Sequence, residues 1–124
     1  MAHFAQLNED NIVQTVIVVA DECAPTEEAG VDFITNTLRL GGVWKQTSYN
    51  TYRDLEMVPD VFEHRKIHSV TDHGSKHRLG GTPFRAQYAA IGDRYDEEND
   101  IFIPVGWSYD SANDKFIAPA ELYI

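Results

Sequence analysis

The chain of 124 residues reads as an α+β domain: mainly antiparallel β-hairpins, one α-helix packed on the sheet, and one long inserted loop. Three observations carry this reading. A phrase rich in turn residues is written twice, as "GDRYDEENDIFI" and "GWSYDSANDKFI". Short β-branched runs, of which "VIVVA" is the most apolar, have the length of strands. One segment, residues 26–40, spaces its apolar side chains roughly as a helix does. Antiparallel hairpins need only short connections, so about five to seven strands around one helix are expected. The length suits a single domain, residues 1–124, with a modest core.

The elements follow in order. "HFAQLNEDNIVQTVIVVADE" is strand, tight turn, strand. Asn8, Asp10 and Asn11 can bond their own backbone there and tolerate a positive φ. In "APTEEAGVDFITNTLRLGG", Thr26 is the N-cap of a helix, and Glu27 and Glu28 favour its positive end. Val31, Ile34 and Leu38 line one face, and Gly41 and Gly42 end it. "VWKQTSYNTY" alternates as a strand does, with Trp44 to bury. From residue 51 to 82 no period appears, and Pro59, Gly74, Gly80 and Gly81 interrupt the run, so it reads as a long loop. "FRAQYAAIG" reads as a strand again.

Residues 92–119 hold the repeated phrase, whose common pattern is G-x-x-Y-D-x-x-N-D-x-F-I. Repetition at a fixed period means one supersecondary unit used again. Each copy encodes a hairpin turn. Asp96 and Asp110 accept bonds from backbone N–H groups, and Asn99 and Asn113 supply the left-handed residue. Pro104 and Pro119 stop the strands. Tyr95, Phe102, Tyr109 and Phe116 are expected to join Trp44 in one aromatic core. These aspartates lack the loop spacing of a calcium site, so they read as turns.

Composition excludes several functions. With 43% hydrophobic and 24% charged residues the chain belongs with folded domains, not disordered ones. A net charge of −10 repels nucleic acid and anionic membranes, so neither is an expected partner. The single cysteine, Cys23, allows no internal disulfide, and its neighbours Asp21 and Glu22 make it a poor nucleophile. The start "MAHFAQLNED" has no basic and apolar leader, so use without signal-dependent export is expected. Nucleophile-elbow, P-loop and dinucleotide patterns are missing from the sequence, so no enzyme and no cofactor are expected.

The stretch "EHRKIHSVTDHGSKHR" offers the one alternative. His64 and His68 are four apart, as are His73 and His77, and on a helix such pairs can share a metal. Gly74 and the β-branched "SVT" oppose a continuous helix. Residues 63–85 also hold five basic and two acidic side chains, so a basic loop docking on an acidic surface is the plainer reading.

"MAHFAQLNEDNIVQTVIVVADE", "WKQTSYNTY", "GGTPFRAQYAAIG" and "YDEENDIFIP", in this order, resemble a family of small proteins of marine tailed phages of the cyanophage type. Members carry M-A-H-F-A-x-L-x-x-N-x-V, then W-x-Q-T-S-Y-N, then F-R-x-x-Y-A-G-I-G-x-x-Y-D. The resemblance implies a virion structural component: a multi-copy capsid decoration or cement protein, or otherwise a tail or baseplate part. It implies no catalytic residues. Its partners would be the major capsid or tail protein and copies of itself. The family's glycine is Ala90 here, and Asp93 displaces the usual aromatic. An insertion between Tyr52 and Gly80 also separates two strands that family members join quickly, and it holds four of the five histidines. The insertion is expected to be an assembly arm. Arg65, Lys66, Lys76 and Arg78 would steer the partner, and Tyr52, Val58, Phe62 and Ile67 would anchor it. A metal-binding module or a metal-dependent enzyme built on His64, His68, His73 and His77 is the competing function, and a small regulator of a host protein a third.

Overall fold

Strand β1 (Ala2–Leu7) lies in the middle of a three-stranded antiparallel sheet, between β2 (Val13–Val19) and β3 (Val43–Thr47), in a computed structural model that describes residues 1–63 and 65–122. The turn from β1 to β2 forms as its residues dictate. Asn8 Oδ1 accepts from the amides of Asp10 at 2.9 Å and Ile12 at 3.0 Å, and Asn11 takes the left-handed φ of 61°.

Both faces of this sheet are covered. One face meets the helix, α1 (Glu27–Asp32), which continues with π geometry through Phe33–Thr37. Thr26 caps it, accepting from Ala29 N at 3.1 Å. The chain turns left-handed already at Arg39, with φ 57°, so the helix ends before the two glycines expected to end it. Phe4, Val19, Ile34 and Trp44 form the core between helix and sheet. Gly30 lets the helix lie directly on Phe4, because a Cβ at that position would overlap the end of the Phe4 ring. Gly30→Ala is therefore expected to cost about 1–3 kcal/mol through overpacking, despite alanine's better helix propensity. Chemical denaturation with an unchanged slope checks it.

The opposite face carries the repeat. Its first copy is the hairpin β6 (Arg94–Asp96) and β7 (Ile101–Ile103), and its second is β8 (Ser108–Asp110) and β9 (Lys115–Ile117). Ala5, Leu7 and Val13 of the sheet pack with Ala89, Tyr95 and Phe102. Beyond them Ala86, Ile103 and Phe116 make a third cluster, with Tyr109 and Trp107 at its rim. The single aromatic core expected from the sequence is thus three clusters. Trp44 lies on the helix side, Tyr95 and Phe102 on the other face, and Phe116 in the outermost.

Two further expectations are corrected. Residues 51–82 are not a loop: β4 (Thr51–Pro59) and β5 (Ile67–His77) form a long antiparallel hairpin, which brings the described strands to nine. "FRAQYAAIG" is not a strand: Arg85 and Ala86 hold φ values of 51° and 70°, which a strand forbids. Two of its amides bond threonine side chains instead, Phe84 N to Thr51 Oγ1 and Ala89 N to Thr47 Oγ1, both at 2.9 Å. The α+β class with antiparallel hairpins and one helix on the sheet stands.

Candidate functional site

The β4–β5 hairpin contains every residue expected to bind a partner except Arg78, which follows it directly. Its ladder pairs Thr51 with His77 at the base and Pro59 with Ile67 near the tip, with irregularities after Arg53 and Val58. The connection is a capped turn: Asp60 Oδ1 accepts from Phe62 N at 2.9 Å and Glu63 N at 2.7 Å. Gly74, at φ 90°, takes up the first irregularity.

The expected residues form two groups. At the tip, Phe62 is 94% exposed and Val58 42%. Arg65 is exposed there too, and Lys66 and Ile67 are half-buried. At the base, Tyr52 and Lys76 face each other across the ladder, and the Arg78 guanidinium lies 5.4 Å over the Tyr52 ring. Val58 lies six strand positions on from Tyr52, or about 20 Å away. Sequence reasoning missed Met57 and Val61 at the tip, both exposed. The signal was present: apolar side chains on both sides of a Pro-Asp turn leave nothing to bury them. It also missed Tyr49, which stands beside Arg78 and joins His3 and Tyr88 in an aromatic group. An open cleft of about 290 Å³ adjoins it, lined by residues 1–3 and 46–50.

The base of the arm is held by the repeat. Arg53 and Asp72 pair across the hairpin, Nε to Oδ1 at 2.9 Å, with both side chains 3% exposed. The Arg53 guanidinium also donates to Ser75 Oγ at 3.0 Å and to the Asp114 carbonyl at 2.6 Å and carboxylate at 3.1 Å. It lies 4.5 Å over the ring of Phe116. Asp72 in turn accepts from the amides of Phe116 at 2.7 Å and Gly74 at 2.8 Å. Burial pushes its carboxyl up, but the Arg53 guanidinium and these amides outweigh burial and hold it below the ordinary value.

The first copy of the repeat treats a second arginine the same way. Arg85 Nε donates to Asp100 Oδ1 at 2.8 Å, and its guanidinium lies 5.7 Å over the Tyr95 ring. Its other partners are Glu27 at the start of α1 and the carbonyl of Gln46. In both copies the tyrosine hydroxyl donates to the second aspartate of the phrase, Tyr95 to Asp100 and Tyr109 to Asp114. Burial and that neighbouring carboxylate push both phenols up to about 12. The repeat is thus an arginine cradle built twice from Tyr, Asp and an aromatic ring. The turn aspartates cap backbone amides as expected. The left-handed residue, however, is Asp100 or Asp114, at φ 54° and 50°, and not the asparagine before it. Asn99 and Asn113 donate instead to Asp96 at 2.8 Å and Asp110 at 2.7 Å.

The histidines do not converge. His68, His73 and His77 lie on a strand, where a spacing of four puts His73 and His77 about 13 Å apart. His73 bonds Glu56 at 3.1 Å, and His77 Nδ1 accepts from the amides of Leu79 and Gly81, each at 3.1 Å. His64 lies outside the described residues. Among the described residues no group of three or more histidine, cysteine or carboxylate side chains is placed to hold a metal. Compared with known proteins, the chain matches no protein-family model, no curated protein and no solved structure.

Proposed function

We propose that the chain is a multi-copy virion structural protein, most simply a capsid decoration or cement protein and otherwise a tail or baseplate part. The β4–β5 arm is its docking element. The observation that carries this is the arm's tip, where Met57, Val58, Val61 and Phe62 are 48%, 42%, 76% and 94% exposed. Four neighbouring apolar side chains left in water mark an interaction surface. Charge supports it in a form the sequence reading did not foresee. Residues 51–82 hold five basic and five acidic side chains, so the arm is neutral and the remaining five basic and fifteen acidic residues carry the whole −10. A neutral apolar tip can approach an acidic neighbour that the body would repel. The resemblance to small phage proteins points the same way.

Replacing Val61 and Phe62 together by aspartate tests the reading. Both are exposed, so stability should stay within about 0.5 kcal/mol. Incorporation into particles should fall sharply when the doubly substituted chain replaces the natural one in the phage that encodes it. Mass spectrometry of purified particles gives the copy number: hundreds indicate the shell, a handful the tail. Full incorporation of the substituted chain would remove the arm from the mechanism, and absence of the natural chain from particles would reject the virion reading.

A further inference from the structure

The two edges of the three-stranded sheet are treated differently. Along β3 the outer backbone is occupied: Gln46 N donates to Glu27 Oε2 at 2.7 Å, and Gln46 O accepts from Arg85 at 2.9 Å. Along β2 only the first part is covered. Val13 N donates to Asp93 O at 2.8 Å, Val13 O accepts from Gly92 N at 2.9 Å, and Asn11 O accepts from Tyr95 N at 2.8 Å. From residue 14 to 19, β1 is the one strand alongside among the described residues, and β2 ends the sheet. An uncovered edge is a row of unused donors and acceptors that natural sheets blunt with charge, proline or a bulge toward solvent. None is used here. Residues 11–20 carry no charged side chain and no proline, in a chain of net charge −10. Gln14 is exposed, and Val18 is 50% exposed.

We infer that this edge is a homodimer interface, in which β2 pairs antiparallel with β2 of a second copy. The occupant follows from charge and symmetry. Two copies of net charge −10 repel each other through their acidic surfaces and can meet only on uncharged ones, and β2 is the uncharged edge of the sheet. A strand pairing antiparallel with itself is isologous: it presents "QTVIVV" to "QTVIVV", with Val16 against Ile17 at the axis and uncharged side chains throughout, and the contact closes at two. The result is one six-stranded sheet with β3 at both ends, where Glu27 and Arg85 already occupy the edge. This goes beyond the virion reading and does not depend on it, because it uses a different surface from the arm.

Sedimentation of the purified chain over a concentration series tests the inference. A species of twice 14.0 kDa is expected. Val18→Lys, which sets like charges along the strip, should weaken association by roughly tenfold or more. The Val61 and Phe62 double substitution at the arm tip should leave the dimer unchanged. Hydrogen exchange of the natural chain supplies a measurement independent of any variant: amides of residues 14–19 should exchange more slowly in concentrated than in dilute solution. A monomer at every concentration, a dimer lost with the tip substitutions, or no concentration-dependent protection of residues 14–19 would each overturn it.

Discussion

Arg53→Ala is expected to destabilise the fold by about 3–5 kcal/mol, because it leaves the Asp72 carboxylate buried without its counter-ion. The loss reaches further than the pair. Ser75 and Asp114 lose a donor, and the ring of Phe116 loses the guanidinium above it. Acidity supplies the diagnostic. In the natural chain the Asp72 carboxyl is held below its ordinary value of 3.8. Its contribution is therefore complete above about pH 4 and is lost as the pH falls through the depressed value. In the variant the same carboxyl is buried and unpaired, so its pKa should rise and protonation should relieve part of the cost. The stability gap between the two chains should therefore narrow between about pH 7 and about pH 3. Urea unfolding at both values measures it, and a gap independent of pH would show that Arg53 acts through packing alone.

Phe102→Ala should cost a similar amount, about 3–5 kcal/mol, for a different reason. Phe102 is fully buried where the first copy of the repeat meets the sheet, against Ala5, Leu7, Val13 and Tyr95. Its ring centroid is 5.4 Å from that of Tyr95. A cavity there cannot collapse easily, because β1 is pinned between two strands and packed on both faces. The melting temperature should fall by roughly 10–20 °C. The equivalent position of the other copy, Phe116, lies in a smaller cluster, and Phe116→Ala should cost less through packing and more through the exposure of Arg53. An unaltered melting temperature for Phe102→Ala would place that ring outside the core.

Much of the fold was legible because the chemistry that encodes it is local. Thr26 caps a helix three residues away, Asn8 closes its own turn, and Asp96 and Asp110 do the same within each hairpin. What the sequence hid is what distant residues decide. The arm shows no alternation because its two buried strand residues, Thr51 and Asp72, are polar and the rest are exposed or only half-buried, so a real ladder has no hydrophobic period. Asp100 and Asp114 take the left-handed conformation, where asparagine is the usual choice, because a tyrosine and an arginine hold each carboxylate. Repetition also misleads about burial: Ile103 is fully buried, while Ile117, the same letter of the phrase, is 49% exposed. Of the candidate site, the residues were legible and their arrangement was not. Helical spacing brought histidines together on paper, and strand spacing separates them.

The cradles have a consequence for the order of events during synthesis. Arg53 meets Asp114, 61 positions later in the chain, and Arg85 meets Glu27, 58 positions earlier. At about 5–20 residues per second, some 3–12 seconds pass between the making of Arg53 and of its last partner. For that interval the arm can zip its own backbone and pair Arg53 with Asp72 and Ser75, but it lacks Asp114 and the Phe116 ring, so its apolar tip stands ready before its base is fastened to the body. Helix and first sheet, by contrast, can assemble from residues made early, and Arg85 joins Glu27 once it has left the ribosome. The nascent chain is thus a body closed first on its helix side with an unlatched lever, and the second writing of the phrase is the latch.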